Sequence, residues 1–261
     1  MYIDVHCHLT GGEYKEIGGV EGVLARAKEH GVGIVICSGF DLDSSMIAKD
    51  LSEQYEEVYF SAGFHPSELD KYKEGDVEKL AELCRHEKCV AVGEIGLDYH
   101  FEDNPAPETQ REFFLRQLLL ADELGLPVVL HSRDAAQETL ELLQANKHLL
   151  KKGGLMHCYS YSAEMVKDFL ELGLSFSFGG PSTFKNAKKV VESLQRIPAH
   201  RILTETDCPY LTPVPFRGVF PNEPKNVKHI AENMAILRNE NIEELKKQVL
   251  QNAKQLFFKL K

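Results

Sequence analysis

Short hydrophobic runs alternate with longer amphipathic stretches along most of this 261-residue chain. Runs rich in β-branched and aromatic residues predict strands, whereas apolar residues three or four positions apart predict helices. We expect strands at residues 2–6, 33–37, 58–62, 90–94, 128–131, 154–157, 174–178 and 201–205. Because helix-like stretches separate these runs, the pattern indicates repeated strand–helix units of the α/β class.

The helical stretches complete this pattern. One helix is expected at residues 109–124, where Phe113, Leu120 and Leu124 would share an apolar face. A proline-rich loop over 209–224 should lead to two final helices, at 227–239 and 242–259. Eight such units suit one large barrel better than two ordinary domains. The sequence therefore predicts a single (β/α)8 TIM-barrel domain over residues 1–261.

The composition is that of a globular protein, with 43% hydrophobic and 27% charged residues. The chain shows no signal-peptide pattern and no apolar run long enough for a bilayer. Its six cysteines include no CxxC pair, so they do not indicate a disulfide framework. These features predict a cytoplasmic protein with no membrane association and no evident obligate protein partner. Nucleic-acid binding usually requires a basic surface, so with a net charge of −10 we expect any nucleic-acid contact to be small.

Polar residues interrupt the predicted strands near their carboxyl ends. Alternation along the first strand allows the side chains of His6 and His8 to point the same way. The other interruptions are Glu94, His131, His157 and Asp207. A lone histidine at a strand end is most often structural, but in a barrel all these ends meet at one rim. Four imidazoles and two carboxylates there would suit Zn²⁺, Mn²⁺ or Fe better than Ca²⁺.

These residues lie in segments that resemble the motifs of the TatD family of metal-dependent deoxyribonucleases. The segments are DVHCHL from Asp4, GEIGLDY from Gly93, LHSRDA from Leu130, HCYS from His157 and ETDCPYL from Glu205. A later Arg217-Gly218 and an Asn222-Glu223-Pro224 are similar to the family's tail motif. The resemblance runs over nearly the whole chain. It differs from the family at Tyr161, at residues 179–181 and in the spacing between 218 and 222, which we expect to shape the substrate groove.

The resemblance implies a ligand set and an activity. His6, His8, Glu94 and Asp207 would hold one divalent cation, and Glu94, His131 and His157 would hold a second, with Glu94 bridging. Both cations would be Mg²⁺, Mn²⁺ or Zn²⁺. The activity would be hydrolysis of DNA phosphodiesters. A 3′-to-5′ exonuclease on single strands is the expected form. Two cations can bind the attacking and the leaving oxygen of a phosphodiester. Because Glu94 would bridge these cations and Asp207 would bind one of them, Glu94 and Asp207 are the expected catalytic residues. Asp207 would act as general base or as a simple ligand, and its position does not separate the two roles.

Other polar residues are expected near the same rim. His65, Arg133, Lys185 and Arg217 are the predicted substrate-binding residues, because imidazole, guanidinium and ammonium groups bind phosphate oxygens. Each also has a structural alternative: Arg133, for example, would pair with Asp98 or Asp134. Glu205 is the predicted partner that orients a ligand, and the alternative is a barrel-interior carboxylate paired with a lysine or arginine.

One rival enzyme class shares much of this pattern. Amidohydrolases of the same barrel type cleave amides, lactones or esters, as deacylases do, and many have a similar HxH motif, later histidines and a final aspartate. They commonly use a carboxylated lysine as the metal bridge, whereas this chain has Glu94 at the matching strand. A non-enzymatic metal-loaded interaction protein would be expected to have lost a ligand, and all six are intact. The sequence therefore favours the nuclease.

Overall fold

The structure, a computed structural model, describes all residues from Met1 to Lys261. Eight strands form one sheet in the order β1 to β8, and their pairings are parallel. The strands are β1 Tyr2–Cys7, β2 Val32–Ser38, β3 Val58–Ala62, β4 Cys89–Asp98, β5 Val128–Arg133, β6 Gly154–Met156, β7 Leu174–Phe178 and β8 Ile202–Thr204. The fold class is the predicted (β/α)8 barrel.

Nine α-helices lie between and after the strands. They are α1 Gly19–Glu29, α2 Leu42–Gln54, α3 Asp76–Cys84, α4 Pro107–Leu124, α5 Ala136–Ala145, α6 Val166–Glu171, α7 Lys188–Arg196, α8 Val227–Arg238 and α9 Ile242–Leu256. The two C-terminal helices end earlier than predicted. In α8 the reason is Asn239, which adopts a left-handed conformation with φ 54° and ends the helix. None of the helices has the length and apolar character needed to cross a membrane.

Two strand boundaries differ from the prediction in ways that affect the site. β4 runs four residues further, because its pairing with β5 continues to Asp98 opposite Arg133. β8 ends at Thr204, one residue before Glu205, because the chain then turns to bond with β1: the Thr206 N–H donates to Asp4 Oδ1 at 2.9 Å. Glu205 and Asp207 therefore lie in the loop after β8 and not on a common strand face.

The predicted apolar face of α4 was wrong in part. Leu120 is buried, but Phe113 and Leu124 are only half-buried. The buried face carries Phe114, Leu118 and Ala121, together with the two glutamines Gln110 and Gln117. Phe113 instead lies beside this face, with its ring centroid 4.7 Å from that of Tyr72.

Spatial proximity divides the chain into two compact units. One comprises Met1–Cys37, His157–Lys167 and Phe176–Gln255, and the other comprises Ser38–Met156, Asp168–Ser175 and Leu256–Lys261. That residues 1–261 form a single domain stays a prediction. In the first unit Val5, Phe176 and Leu203 are fully buried, and in the second Phe60 and Leu130 are. All ten residues of β4 are buried, as expected for a strand covered on both faces.

Candidate metal centre

In the first unit, two histidines and one aspartate meet where β1 and β8 end. The Asp207 N–H donates to the His6 carbonyl at 3.0 Å, and the His8 N–H donates to the Cys208 carbonyl at 2.7 Å. These two bonds fix the loop after β8 against β1. As a result, Asp207 Oδ1 lies 3.6 Å from His6 Nε2 and 3.5 Å from His8 Nε2. We call these three residues and His157 the Asp207 cluster.

His157 joins this cluster through its ring. It follows β6 and stacks on His6, with 4.0 Å between the ring centroids and 20° between the planes. Its Nδ1 lies 3.6 Å from Oε1 of Glu205, whose other carboxylate oxygen accepts a hydrogen bond from the Ser177 hydroxyl. Glu205 is fully buried. The contacts observed for Glu205 are thus a hydrogen bond from Ser177 and an approach to the His157 ring that is longer than a hydrogen bond.

A buried carboxylate that the sequence analysis did not select supports the same loop. Asp4 accepts hydrogen bonds from the Thr206 N–H at 2.9 Å and from the Thr206 hydroxyl at 2.5 Å. Burial raises the pKa of Asp4 well above its usual value, although the Thr206 bonds lower it. The available signal was its position: Asp4 precedes His6 by two residues on the same side of β1.

The surrounding imidazoles control the charge of Asp207. Burial raises the pKa of Asp207, but the His8 hydrogen bond and the nearby His157 and His6 rings lower it, and the net shift is downward. Asp207 is therefore a carboxylate near neutral pH, which is the form that ligates a cation or accepts a proton.

In the second unit, four side chains form another set, the Glu94 cluster of His65, Glu94, Asp98 and His131. His131 lies between two carboxylates, with Nδ1 at 2.8 Å from Glu94 Oε1 and Nε2 at 3.1 Å from Asp98 Oδ2. His65 Nε2 lies 3.5 Å from Glu94 Oε1, and its Nδ1 lies 2.7 Å from the Ser67 hydroxyl. Asp98 was considered earlier only as a partner of Arg133. Burial raises its pKa, but bonds from His131 and the His100 N–H outweigh burial and lower it.

Close backbone approach makes this second cluster possible. Gly96 lies between Glu94 and Asp98 at φ 148°, and a Cβ atom there would come within 1.8 Å of the His131 carbonyl oxygen. Only glycine permits both the conformation and the contact. Glu94 is held from the other side, because its N–H donates to the Gly39 carbonyl at 3.0 Å.

Two buried glutamines of α4 hold the loop that carries His65 and the end of β4 at Asp98. The Gln117 amide accepts from the Phe64 N–H at 2.7 Å and donates to the Phe64 carbonyl at 3.0 Å. The Gln110 amide accepts from the Asp98 N–H at 2.8 Å and donates to the carbonyls of Asp98 and Pro105 at 2.9 and 2.8 Å. They are seven residues apart and share the buried helix face. A polar residue at the expected position of a core residue was the signal for both.

The donor atoms of the Asp207 cluster fit a divalent cation. Zn²⁺ bonds of about 2.0–2.2 Å place neighbouring ligand atoms roughly 3–3.5 Å apart, whereas a charged N–H···O bond is about 2.7–2.9 Å long. The 3.5 and 3.6 Å separations between Asp207 and the two histidines match the first case. Their three donor atoms all lie within 4.8 Å of one another, as do those of His65, Asp98 and His131. Imidazoles with carboxylates are a donor set for Zn²⁺ or Mn²⁺.

The predicted phosphate-binding cations have different surroundings. Arg133 is exposed and its guanidinium lies 5.0 Å from the Phe101 ring centroid; Asp98 and Asp134 bind His131 and His100 instead. Arg217 is exposed and lies 4.1 Å from the Phe184 ring centroid, beside the exposed Lys185. Lys225, in the same C-terminal loop, is bound to Glu223 at 2.5 Å, so it is a poorer candidate for a phosphate.

Comparison with known proteins identifies the family. A family model described as TatD related DNase matches residues 3–258. The chain belongs to the TatD family. The uncharacterized metal-dependent hydrolase YabD of Bacillus subtilis is 41% identical over 257 residues, covering 98% of this chain and 99% of YabD. YcfH of Escherichia coli K12, another uncharacterized metal-dependent hydrolase, is 38% identical over 260 residues, covering 98% and 95%.

Solved structures agree with this TatD-family assignment. The crystal structure of YjjV, a TatD homologue from Escherichia coli K12, is 32% identical, has a TM-score of 0.92 and covers 98% of both chains. A TatD-family hydrolase of Entamoeba histolytica, at 24% identity and a TM-score of 0.86, shares the fold. The chain is thus a TatD-family metal-dependent hydrolase, as its motifs predicted, and it carries candidate metal-binding clusters.

Proposed function

We propose that this protein hydrolyses phosphodiester bonds of DNA, removing nucleotides from single-stranded 3′ ends. Two divalent cations are proposed as cofactors, with His6, His8, Glu94, His131, His157 and Asp207 as ligands. The observation that carries the proposal is the intact donor set of the two clusters in a chain matched from residue 3 to 258 by the TatD related DNase family model. The neighbouring carboxylate Asp98, which binds His131, orients that ligand.

When bound, divalent cations supply hydroxide near neutral pH and stabilise the charge that develops on phosphoryl oxygens. Asp207 orients the attacking water or accepts its proton at the carboxylate, and its lowered pKa keeps it ionised for that role. The Glu205 carboxylate lies 3.6 Å from Nδ1 of His157 and orients that ring by electrostatic attraction. The Ser67 hydroxyl, 2.7 Å from Nδ1 of His65, holds that ring, whose Nε2 lies 3.5 Å from Glu94 Oε1. From this position beside Glu94, His65 binds the substrate phosphate or leaving group.

The substrate is held by few cations. Arg133, Arg217 and Lys185 are the proposed phosphate-binding residues, since all three side chains are exposed. With a net charge of −10 the chain lacks the positive charge for a long track along the backbone. A contact with roughly two to four phosphates fits a strand end better than an internal stretch of duplex.

A substrate panel tests this proposal. The purified protein, stripped of metal and reloaded separately with Mg²⁺, Mn²⁺ or Zn²⁺, is incubated with single-stranded DNA, a generic phosphodiester and an N-acyl amino acid. Release of mononucleotides from the DNA is expected, with Asp207→Asn as the inactive control. Hydrolysis of the N-acyl amino acid without hydrolysis of DNA would contradict the proposal and indicate an amidohydrolase-type deacylase.

A further inference from the structure

The loop that follows Asp207 exposes two large aromatic side chains to solvent. The accessible fraction is 55% for Tyr210 and 61% for Phe220. Their ring centroids are 6.4 Å apart and the planes are tilted by 40°. Val214, Phe216 and Val219 of the same loop are also exposed. Contiguous exposed apolar surface of this kind is uncommon on a monomer unless it binds something. We call Tyr210 and Phe220 the aromatic platform.

The aromatic platform is tied to the segment that carries Asp207. The Tyr210 N–H donates to the Asp207 carbonyl at 3.1 Å. The amide of the fully buried Asn222 donates to the carbonyls of Thr206 at 3.1 Å and Tyr210 at 2.7 Å, and the Asn222 N–H donates to the Pro209 carbonyl at 2.8 Å. Three residues of chain reach no further than about 11 Å. These hydrogen bonds and the short connecting segment therefore hold the platform close to Asp207.

The rest of the loop is anchored against the turn after β7. A Cβ atom at Gly180 would lie 1.7 Å from the Leu211 carbonyl oxygen, so the two backbones touch there and only glycine fits. The Val214 N–H donates to the Thr183 hydroxyl at 2.9 Å, and the Thr212 hydroxyl donates to the Val219 carbonyl at 2.6 Å. The platform thus keeps its shape without a bound partner.

The chemistry of this loop fits an unpaired strand of DNA. Exposed aromatic rings stack on nucleobases of any sequence, and a nearby cation binds the phosphates between them. Arg217 supplies such a cation within the same loop, held by its contact with Phe184. Docking on an anionic lipid surface draws on a cluster of roughly four to eight basic residues, whereas Arg217 is the only Lys or Arg in residues 208–224.

We propose that the aromatic platform stacks an unpaired base next to the phosphodiester that is cleaved. The inference rests on the proposed DNA hydrolysis and specifies how a short footprint selects single strands. A base inside a duplex is already stacked and paired, so its face does not reach the rings. Stacking does not depend on base identity, so the platform favours single-stranded over duplex DNA without preferring a particular base.

The experiment compares two single-stranded oligonucleotides of about ten nucleotides, within the range of known single-strand sites. One carries all its bases, and the other is abasic at its four 3′-terminal positions, so the phosphates are the same. The KM ratio between them is measured for the metal-loaded wild type, the double variant Tyr210→Ala/Phe220→Ala, and Phe258→Ala. Phe258 is the matched control, because it is also an exposed aromatic, at 51%, with a lysine ammonium 5.6 Å from its ring centroid.

For the wild type the abasic strand should have a KM about 5- to 150-fold higher, the equivalent of about 1–3 kcal/mol for one stacked base. In the double variant the ratio should fall to near one, and Phe258→Ala should keep the wild-type ratio. Because the ratio is internal to each protein, partial misfolding does not change it. A conservative Tyr210→Phe variant should also keep it.

A wild-type ratio near one, or an unchanged ratio in the double variant, would overturn the platform while leaving the proposed DNA hydrolysis in place. Sedimentation of the wild type as a dimer that the double variant does not form would also overturn it, because the platform would then be covered by a second copy. Failure of the wild type to hydrolyse either strand would overturn both proposals together.

Discussion

Replacing Gln110 by leucine should destabilise the protein at a point on which the Glu94 cluster depends. The Gln110 amide makes three buried hydrogen bonds, with the Asp98 N–H and with the carbonyls of Asp98 and Pro105. Leucine has a similar size, so the change removes the polar contacts while largely keeping the packing. The Asp98 backbone would lose its clamp, and with it the position of the carboxylate 3.1 Å from His131 Nε2.

The expected loss of stability in Gln110→Leu follows from the hydrogen bonds that the Gln110 amide makes. Three hydrogen bonds at about 1 kcal/mol each amount to about 3 kcal/mol. The Asp98 carbonyl keeps one partner, because the Asn104 amide donates to it at 3.1 Å. The groups left without this partner are the Asp98 N–H and the Pro105 carbonyl, and an unsatisfied buried group costs about 1–3 kcal/mol. Two such groups give a loss of about 2–6 kcal/mol in the free energy of unfolding, a range that includes the value from the three bonds.

Urea unfolding of the metal-free protein, followed by circular dichroism, measures this loss. The matched control is Gln137→Leu, since Gln137 lies on the exposed face of α5 and bonds only to Glu141 among the contacts observed, at 2.8 Å. That control should change stability by about 0.5 kcal/mol or less. A Gln110→Leu protein within about 0.5 kcal/mol of the wild type would refute the assignment of Gln110 as the clamp of Asp98.

Three further predictions concern the metals and the substrate. Glu94→Ala should lower the content of both cations, because the family resemblance makes Glu94 the shared ligand; two tightly held metals by elemental analysis would contradict that. Asp207→Asn should fold normally, by circular dichroism, yet lose activity by about 10²- to 10⁴-fold; activity within a few-fold of the wild type would exclude an essential role. Binding of Asp207→Asn to single-stranded DNA at fixed divalent concentration should have a log–log salt slope between about −1.4 and −2.8, for two to four phosphates. A slope steeper than about −5 would require seven or more phosphate contacts and would contradict binding to only two to four phosphates.

The eight-unit fold was predictable because hydrophobic periodicity alone separates strands from helices here. The candidate ligands stood out for a related reason, since His6, Glu94 and His131 are polar residues at the carboxyl ends of the predicted strands. Polarity at a predicted core position has a large energetic cost unless it has a partner or a function, so it is a strong signal.

Sequence reasoning missed Asp98 and Gln110, two polar residues whose burial the sequence pattern did not indicate. β4 was expected to end at Glu94, whereas in the structure it continues through Gly96, which closely approaches the His131 carbonyl. Asp98 was therefore left out of the site. Gln110 was not singled out either, although it lies within the predicted helix over 109–124. The burial of Gln110 depends on which face of α4 packs against β4, and tertiary packing decides that face.

We expect the metal-loaded protein to hydrolyse single-stranded DNA from one end. The most direct measurement titrates Mn²⁺ into metal-free protein and follows a 5′-labelled single-stranded oligonucleotide on a sequencing gel. A ladder that shortens from the 3′ end and reaches full rate at two Mn²⁺ per chain is the predicted result. No shortening at any metal loading, or the same ladder from Asp207→Asn, would contradict the claim.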